Sequence, residues 1–360
     1  MEQGSSRISD YLSNKMRCLS FVYAMLVVLL HANSLIIYAM APAGGLVNSA
    51  VYYFQKLVAQ DLVRCAVPSF FAISGFLFFL KVQSIRNVFE NMRKRVRTLL
   101  IPFVIFNLLY CLFHLLTDVL IQGEDWKLVL GVQSGWIVAA VRILLMFKFN
   151  GAGWYLFVLI GFVCLSPLLY YTLKNKALSL LTLGLCFLLG LTEALPVMRG
   201  RQYTLFFFYL GAFLAVHGIH LINKPMEKKR AWIPLVLFAA SQGIVACFGF
   251  YDEIEKQYPI RFVFEILITV SMWLLADLIK IPEPKWYYAY SFPIYCTHVM
   301  VRDAVIQILQ ALGLIRPGNA FLCLAAFIIL AAAGIVISLI LFCLLKKKAN
   351  PVYRLLTGGR

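Results

Sequence analysis

The sequence predicts an all-α bundle of membrane-spanning helices, and three observations carry that prediction. Of the 360 residues 62% are hydrophobic and 14% charged, with a mean hydropathy of +0.84. Apolar stretches of spanning length recur along the whole chain, and basic residues gather in alternate segments between them. A soluble core needs far less apolar surface, whereas each helical crossing of hydrocarbon takes about 20 apolar residues. About ten spans are expected, near 18–38, 62–80, 99–121, 153–173, 177–194, 203–222, 231–250, 261–280, 287–311 and 320–345. A shorter run from Gly135 to Phe147, with Arg142 amid apolar neighbours, reads as an interfacial or re-entrant helix.

The net charge of +17 could indicate nucleic acid, but the cations are placed as in a membrane protein. Most of the 33 Lys and Arg fall in the N-terminal segment, in every second loop after it and in the C-terminal tail. That asymmetry predicts both termini in the cytoplasm and an even number of crossings. No nucleic acid partner is expected. A signal peptide is disfavoured, because the first apolar run is longer than the apolar region of a signal peptide and holds His31. The nine cysteines lie in or at the ends of spans with no CxxC pair, so they read as small buried hydrophobes, with neither disulfide nor metal expected.

Taken in order, the first span carries the first functional candidate. His31 lies within the apolar run from Arg17 to Ser34, where an ionisable group is costly and faces a bundle interior or water. Fourteen helical steps place Arg17 on the same face as His31, about 21 Å away. The competing reading is a histidine packed against a neighbouring helix. In the second span, Arg64 to Leu80, Ser74-Gly75 interrupts an aromatic run, either as a notch for helix packing or as room for a ligand. The basic cluster Arg93, Lys94, Arg95 and Arg97 leads straight into the third span, where it can bind phosphates or merely set topology and touch headgroups. Trp154 and Tyr155 open the fourth span at a position usual for interfacial aromatics.

The span beginning near 287 is the least lipid-like. Ser291, Tyr295, His298 and Arg302 follow i, i+4, i+7, i+11 and fall on one helical stripe. Four polar groups on one face must meet protein or water rather than lipid.

Together these stretches resemble the acyltransferase-3 family of integral-membrane O-acyltransferases. The chain shows VPSFFAISGF at Val67 to Phe76, RKRVRTLLIP at Arg93 to Pro102, Trp154-Tyr155-Leu156 followed by Pro167, and SFPIYCTH at Ser291 to His298, in the family's order. Two positions depart from its pattern. The family places Arg eleven residues before the first-span histidine, where this chain has Ser20 with Arg17 three residues earlier, and its RxxR is matched best by Lys94 with Arg97. The resemblance implies a single membrane acyltransferase domain over 1–360 without a fused soluble domain, and a bacterial cytoplasmic membrane as its site. It implies transfer of an acyl group, most often acetyl, from cytoplasmic acyl-CoA to a hydroxyl of a glycan or lipid-linked saccharide of the cell envelope.

On that reading Arg17, Arg93, Lys94, Arg95 and Arg97 hold the phosphates of acetyl-CoA or another acyl-CoA, and Ser74-Gly75 leaves room for its pantetheine arm. His31 is the expected general base, with an acyl-histidine relay as the other mechanism. Tyr295, His298 or Arg302 is the expected oxyanion donor, and Asp303, Asp118 or Glu265 the orienting carboxylate. Trp154, Arg302 and Asp303 are expected on the substrate side, with Trp136 and Tyr52 as weaker sugar-stacking candidates. The rival class is a transporter or flippase of a lipid-linked sugar or acylated glycan, which would more often show internal repeats. The acceptor and the oligomeric state are not legible in the sequence.

Overall fold

A computed structural model describes residues 8–42, 45–192 and 201–359, and among them every regular element is helical. Seven helical segments are long and apolar enough to cross a membrane: Asp10–Ala32, Leu46–Phe79, Ile85–Ile121, Gly151–Leu173, Lys228–Phe248, Tyr258–Leu278 and Ala320–Lys348. The remaining expected spans are two apolar helices of 15 residues, Lys176–Gly190 and Tyr203–His217, and the 21-residue Ser291–Ala311 that carries the polar stripe. The chain is a multi-pass membrane protein.

The first helix, α1 (Asp10–Ala32), is capped by Ser9, whose side chain accepts from the Leu12 amide at 3.1 Å. It stops earlier than hydropathy predicts, because Asn33 and Ser34 divert the backbone. Asn33 Oδ1 takes the Leu35 amide at 3.0 Å, and Gln55 Oε1 takes the Ser34 amide at 3.1 Å. His31 therefore sits in the last turn of α1 rather than midway along a longer span.

The next crossing is broken. Helix α2 (Leu46–Lys56) passes through a π turn at Leu57–Asp61 and a 3-10 turn at Leu62–Cys65 before α3 (Ala66–Phe79). Each change of winding rotates the residues after it, and π turns occur often at functional sites. The third crossing repeats the device: α4 (Ile85–Arg95), a π turn at Val96–Leu100 and α5 (Ile101–His114), with Pro102 tolerated where no amide partner is needed. Beyond a further π turn at Leu115–Ile121, the short helices α6 (Trp126–Leu130) and α7 (Trp136–Leu144) lie across the bundle end. The short helix expected there is thus α7. Its Trp136 and Ile137 are exposed, and Asn107 Nδ2 ties its end to α5 through the Leu144 carbonyl at 2.9 Å.

Helices α8 (Trp154–Leu173), α9 (Lys176–Gly190) and α10 (Tyr203–His217) follow. After the single turn α11 (Ile219–Ile222) come α12 (Trp232–Phe248), the turn α13 (Tyr251–Ile254), α14 (Tyr258–Leu275) and α15 (Ser291–Ala311). The long α16 (Ala320–Lys348) and the short α17 (Asn350–Thr357) close the fold.

Two glycines set the closest contact in the bundle. A Cβ on Gly75 would overlap the Phe208 carbonyl, and one on Gly211 would overlap the Ala72 carbonyl, so α3 and α10 meet backbone to backbone. Of the two readings of Ser74-Gly75, Gly75 takes the packing role. At the end of α1 opposite His31, buried Lys15 pairs with Asp277 and lies 4.2 Å over the Trp273 ring, while Met226 N donates to Asp277 Oδ2 at 3.1 Å.

Candidate active site

Helices α1, α3, α8 and α15 and the joint between α4 and α5 enclose a cavity of about 270 Å³. Its lining includes Ser20, Ser74, Arg95, Tyr155, Ser291 and Tyr295 among apolar side chains. Of the basic cluster, Arg95 alone lines it, while Arg93, Lys94 and Arg97 are exposed. Residues one or two apart on a helix do not share a face, so a run of neighbouring cations presents only one of them inward. Ser74 Oγ lies 3.3 Å from the Tyr155 hydroxyl, and the Tyr155 and Tyr295 rings meet at 5.6 Å. The Tyr295 hydroxyl donates to the Ala152 carbonyl, which pins the turn before α8 to α15.

One helical turn past Tyr295 stands His298, its ring centroid 6.0 Å from that of Tyr295 and 5.1 Å from that of His31. His298 Nδ1 bonds the carbonyls of Tyr295 at 2.7 Å and Ile294 at 3.2 Å. A carbonyl only accepts, so Nδ1 carries the proton and Nε2 holds the lone pair of the neutral ring. That Nε2 is buried and has no hydrogen-bond partner among the described residues. Its surroundings leave one nitrogen with its accepting capacity unspent.

Arg302 extends the stripe by another turn. Its Nε donates to Asp303 Oδ1 at 2.8 Å and its Nη1 reaches the His31 carbonyl at 3.4 Å. A guanidinium on the last carbonyls of a helix meets the negative end of the helix dipole, so Arg302 fixes the end of α1 to α15. Ser291 and Tyr295 of the stripe thus line the cavity, while His298 and Arg302 meet the end of α1.

Other expected residues are placed elsewhere. Arg17 is exposed and outside the cavity lining, and Ser20 takes the lining position one turn further along α1. Trp154 packs on Phe71 at 6.4 Å with the Arg201 guanidinium 4.6 Å over its ring, and its neighbour Tyr155 faces the cavity instead. Each candidate carboxylate has its own partner: Asp303 has Arg302, Asp118 has His114 Nδ1 at 2.8 Å, and Glu265 has the Tyr251 hydroxyl. None of the three is hydrogen-bonded to the His31 ring among the described residues. Tyr52 lies under Lys56 at 5.3 Å, and Trp136 packs against Trp126 at 6.0 Å.

Sequence reasoning gave no site role to Tyr155, to Ser20 or to two charged residues of the second crossing, Asp61 and Arg64. Charge at the head of an apolar span was the available signal for the last two.

The helical membrane bundle thus holds a cavity lined by one arginine, three serines and two tyrosines among apolar side chains, with a buried histidine pair one turn beyond Tyr295. The chain belongs to the acyltransferase-3 family: the family model described as "Acyltransferase domain" matches residues 16–345. No curated protein and no solved structure matches the chain. It is therefore a membrane acyltransferase.

Proposed function

We propose that the chain moves an acyl group, acetyl in the first instance, from acyl-CoA to a hydroxyl of a cell-envelope glycan or lipid-linked saccharide. The observation that carries the proposal is the cavity that Arg95, at the basic end of the bundle, shares with Ser20, Ser74, Tyr155 and Tyr295, with His298 one turn past Tyr295 on α15 and 5.1 Å from His31 by ring centroids. Ser20 shares the cavity with Arg95, and His31 lies eleven residues further along α1, about 16 Å at 1.5 Å per residue. A pantetheine arm is long and thin enough to span that distance with its phosphates held at the basic face, which on this reading is the cytoplasmic face of a bacterial cell membrane, as the charge asymmetry supports. The acceptor then approaches from the other side.

In the reaction, the acceptor hydroxyl gives its proton to His31 as its oxygen bonds to the thioester carbon. The carbonyl electrons move to oxygen, and Arg302, held at the His31 carbonyl, supplies positive charge beside the developing oxyanion. Collapse reforms the carbonyl and breaks the carbon–sulfur bond, and the imidazolium returns the proton to the leaving thiolate. Tyr295 and His298 Nδ1 already donate to backbone carbonyls. Their support is to hold the reacting groups in place. A second reading rests on the unpartnered Nε2 of His298, which is equally able to take the acceptor proton.

The experiment is CoA release and CoA binding by purified protein, wild type against His31→Ala, His298→Ala and Arg95→Ala. Loss of release with binding retained in one histidine variant names the base, and loss of binding in Arg95→Ala locates the donor. No binding of acyl-CoA to the wild type at any workable concentration overturns the proposal and favours a transporter.

A further inference from the structure

Beyond the histidine pair, away from Arg95, the break in the second crossing gathers a set of polar groups. The π turn places Ala59 against Ala32, the residue after His31, in one buried cluster. Asp61 and Arg64 follow within the next turn, and Arg64 joins Arg302 and His298 among the groups that act electrostatically on His31. Tyr251 closes the other side. Its amide donates to Asp61 Oδ1 at 2.9 Å, its ring lies 3.7 Å under the Arg64 guanidinium, and its hydroxyl donates to Glu265 Oε1. Arg261 lies 4.7 Å over Tyr203 on the same side of α14 as Glu265.

Three acceptors in this set are left over. Asp61 Oδ2, Gln60 Oε1 and Glu265 Oε2 are buried and accept no hydrogen bond among the described residues, and Asp61 is 0% exposed. A buried carboxylate oxygen left without a donor carries the full cost of losing its water, so a group that donates to it is strongly favoured there. Charge decides what kind of group. Asp61 is balanced by Arg64 and Glu265 by Arg261, so the set suits neither a free cation nor an anion. What fits is a neutral molecule with several O–H donors.

We propose that Gln60, Asp61, Arg64 and Tyr251, with Glu265 behind them, form the subsite for a polyhydroxylated sugar of the acceptor. This inference rests on the acyltransfer reading above. Asp61 Oδ2 and Gln60 Oε1 accept from neighbouring sugar hydroxyls, and the half-buried Arg64 and Gln60 form the reachable side. A further hydroxyl of the same sugar is then delivered to His31.

The test uses the full chain in detergent, [14C]acetyl-CoA, and membranes of the source cells as acceptor, with label counted in the alkali-labile glycan fraction. Asp61→Asn and Gln60→Ala raise the amount of acceptor membrane needed for half-maximal labelling about tenfold, while half-saturation by acetyl-CoA stays within twofold. Oxidising the vicinal diols of the membranes with periodate beforehand removes the difference between wild type and variants. If Asp61→Asn does not accumulate, Gln60→Ala at its half-buried position carries the test alone. Equal acceptor saturation in wild type and variants, or donor and acceptor constants shifting together, overturns the subsite. A wild type that binds acetyl-CoA yet labels only non-glycan material also overturns it. A wild type that does not bind acetyl-CoA overturns the acyltransfer reading itself, and the subsite with it.

Discussion

The imidazoles of His31 and His298 meet with centroids 5.1 Å apart and planes inclined at 51°, one at the end of α1 and the other midway along α15. Two helices far apart in sequence thus bring two titratable rings together, one turn beyond the cavity-lining Tyr295. Arg302 holds that meeting in register from α15 to the His31 carbonyl.

The pair should dominate the chemistry. Replacing the histidine that serves as base with alanine should lower the rate of acyl transfer about 10²- to 10⁴-fold, the usual worth of a positioned general base. Donor binding should stay near the wild-type value, and steady-state kinetics beside equilibrium CoA binding will show whether it does.

The basic cluster should be functionally unequal. Arg95→Ala should raise the half-saturating acyl-CoA concentration tenfold or more, since a charge-assisted bond contributes about 1.5–3 kcal/mol. Alanine at exposed Arg93, Lys94 or Arg97 should change it by about threefold or less, as expected for screened surface charges. Equal losses at all four would mean that the whole cluster, rather than the one cavity-lining cation, holds the donor.

Glycine substitutions should separate packing from space. Gly75→Ala and Gly211→Ala force α3 and α10 apart, a cost of about 1–3 kcal/mol by the measure of overpacked cores. Gly161→Ala, whose new methyl would meet nothing within 4 Å, should leave thermal stability in detergent unchanged or raised.

The Lys15–Asp277 pair should be structural. Both side chains are almost fully buried, at 1% and 5% exposure, so Asp277→Asn leaves an uncompensated ammonium and should cost about 3–5 kcal/mol. Lower yield and melting temperature with an unchanged acyl-CoA KM in the surviving protein is the expected outcome. A selective loss of donor affinity would instead place the pair at the donor site.

Much of this was legible in the sequence for definite reasons. Hydrocarbon leaves the backbone no partner but itself, so apolar length alone announced helices. The stripe Ser291, Tyr295, His298 and Arg302 was legible because four polar groups at helical spacing cannot face lipid, and it does face α1. Positions set by irregular winding were not legible. The π turns at Leu57–Asp61 and Val96–Leu100 each add a residue to a turn and contain no Gly or Pro, so nothing within them marked the change of winding. Arg95, rather than a spaced pair of cations, lines the cavity, and Arg64 went unnoticed as a charge that acts on His31.

The sequence by itself determined the bundle, the membrane, the family and the helix that carries His298, because each depends on local composition or on short motifs read along one helix. Tertiary structure decided which residues share a site. It set His298 against His31, turned Gly75 into the α3–α10 contact and Ser74 into the cavity, and gave Ser20 the lining position that Arg17 was expected to reach. Those outcomes follow from where helices end and how they rotate on packing. A side chain meets its partners only after neighbouring backbones have fixed both.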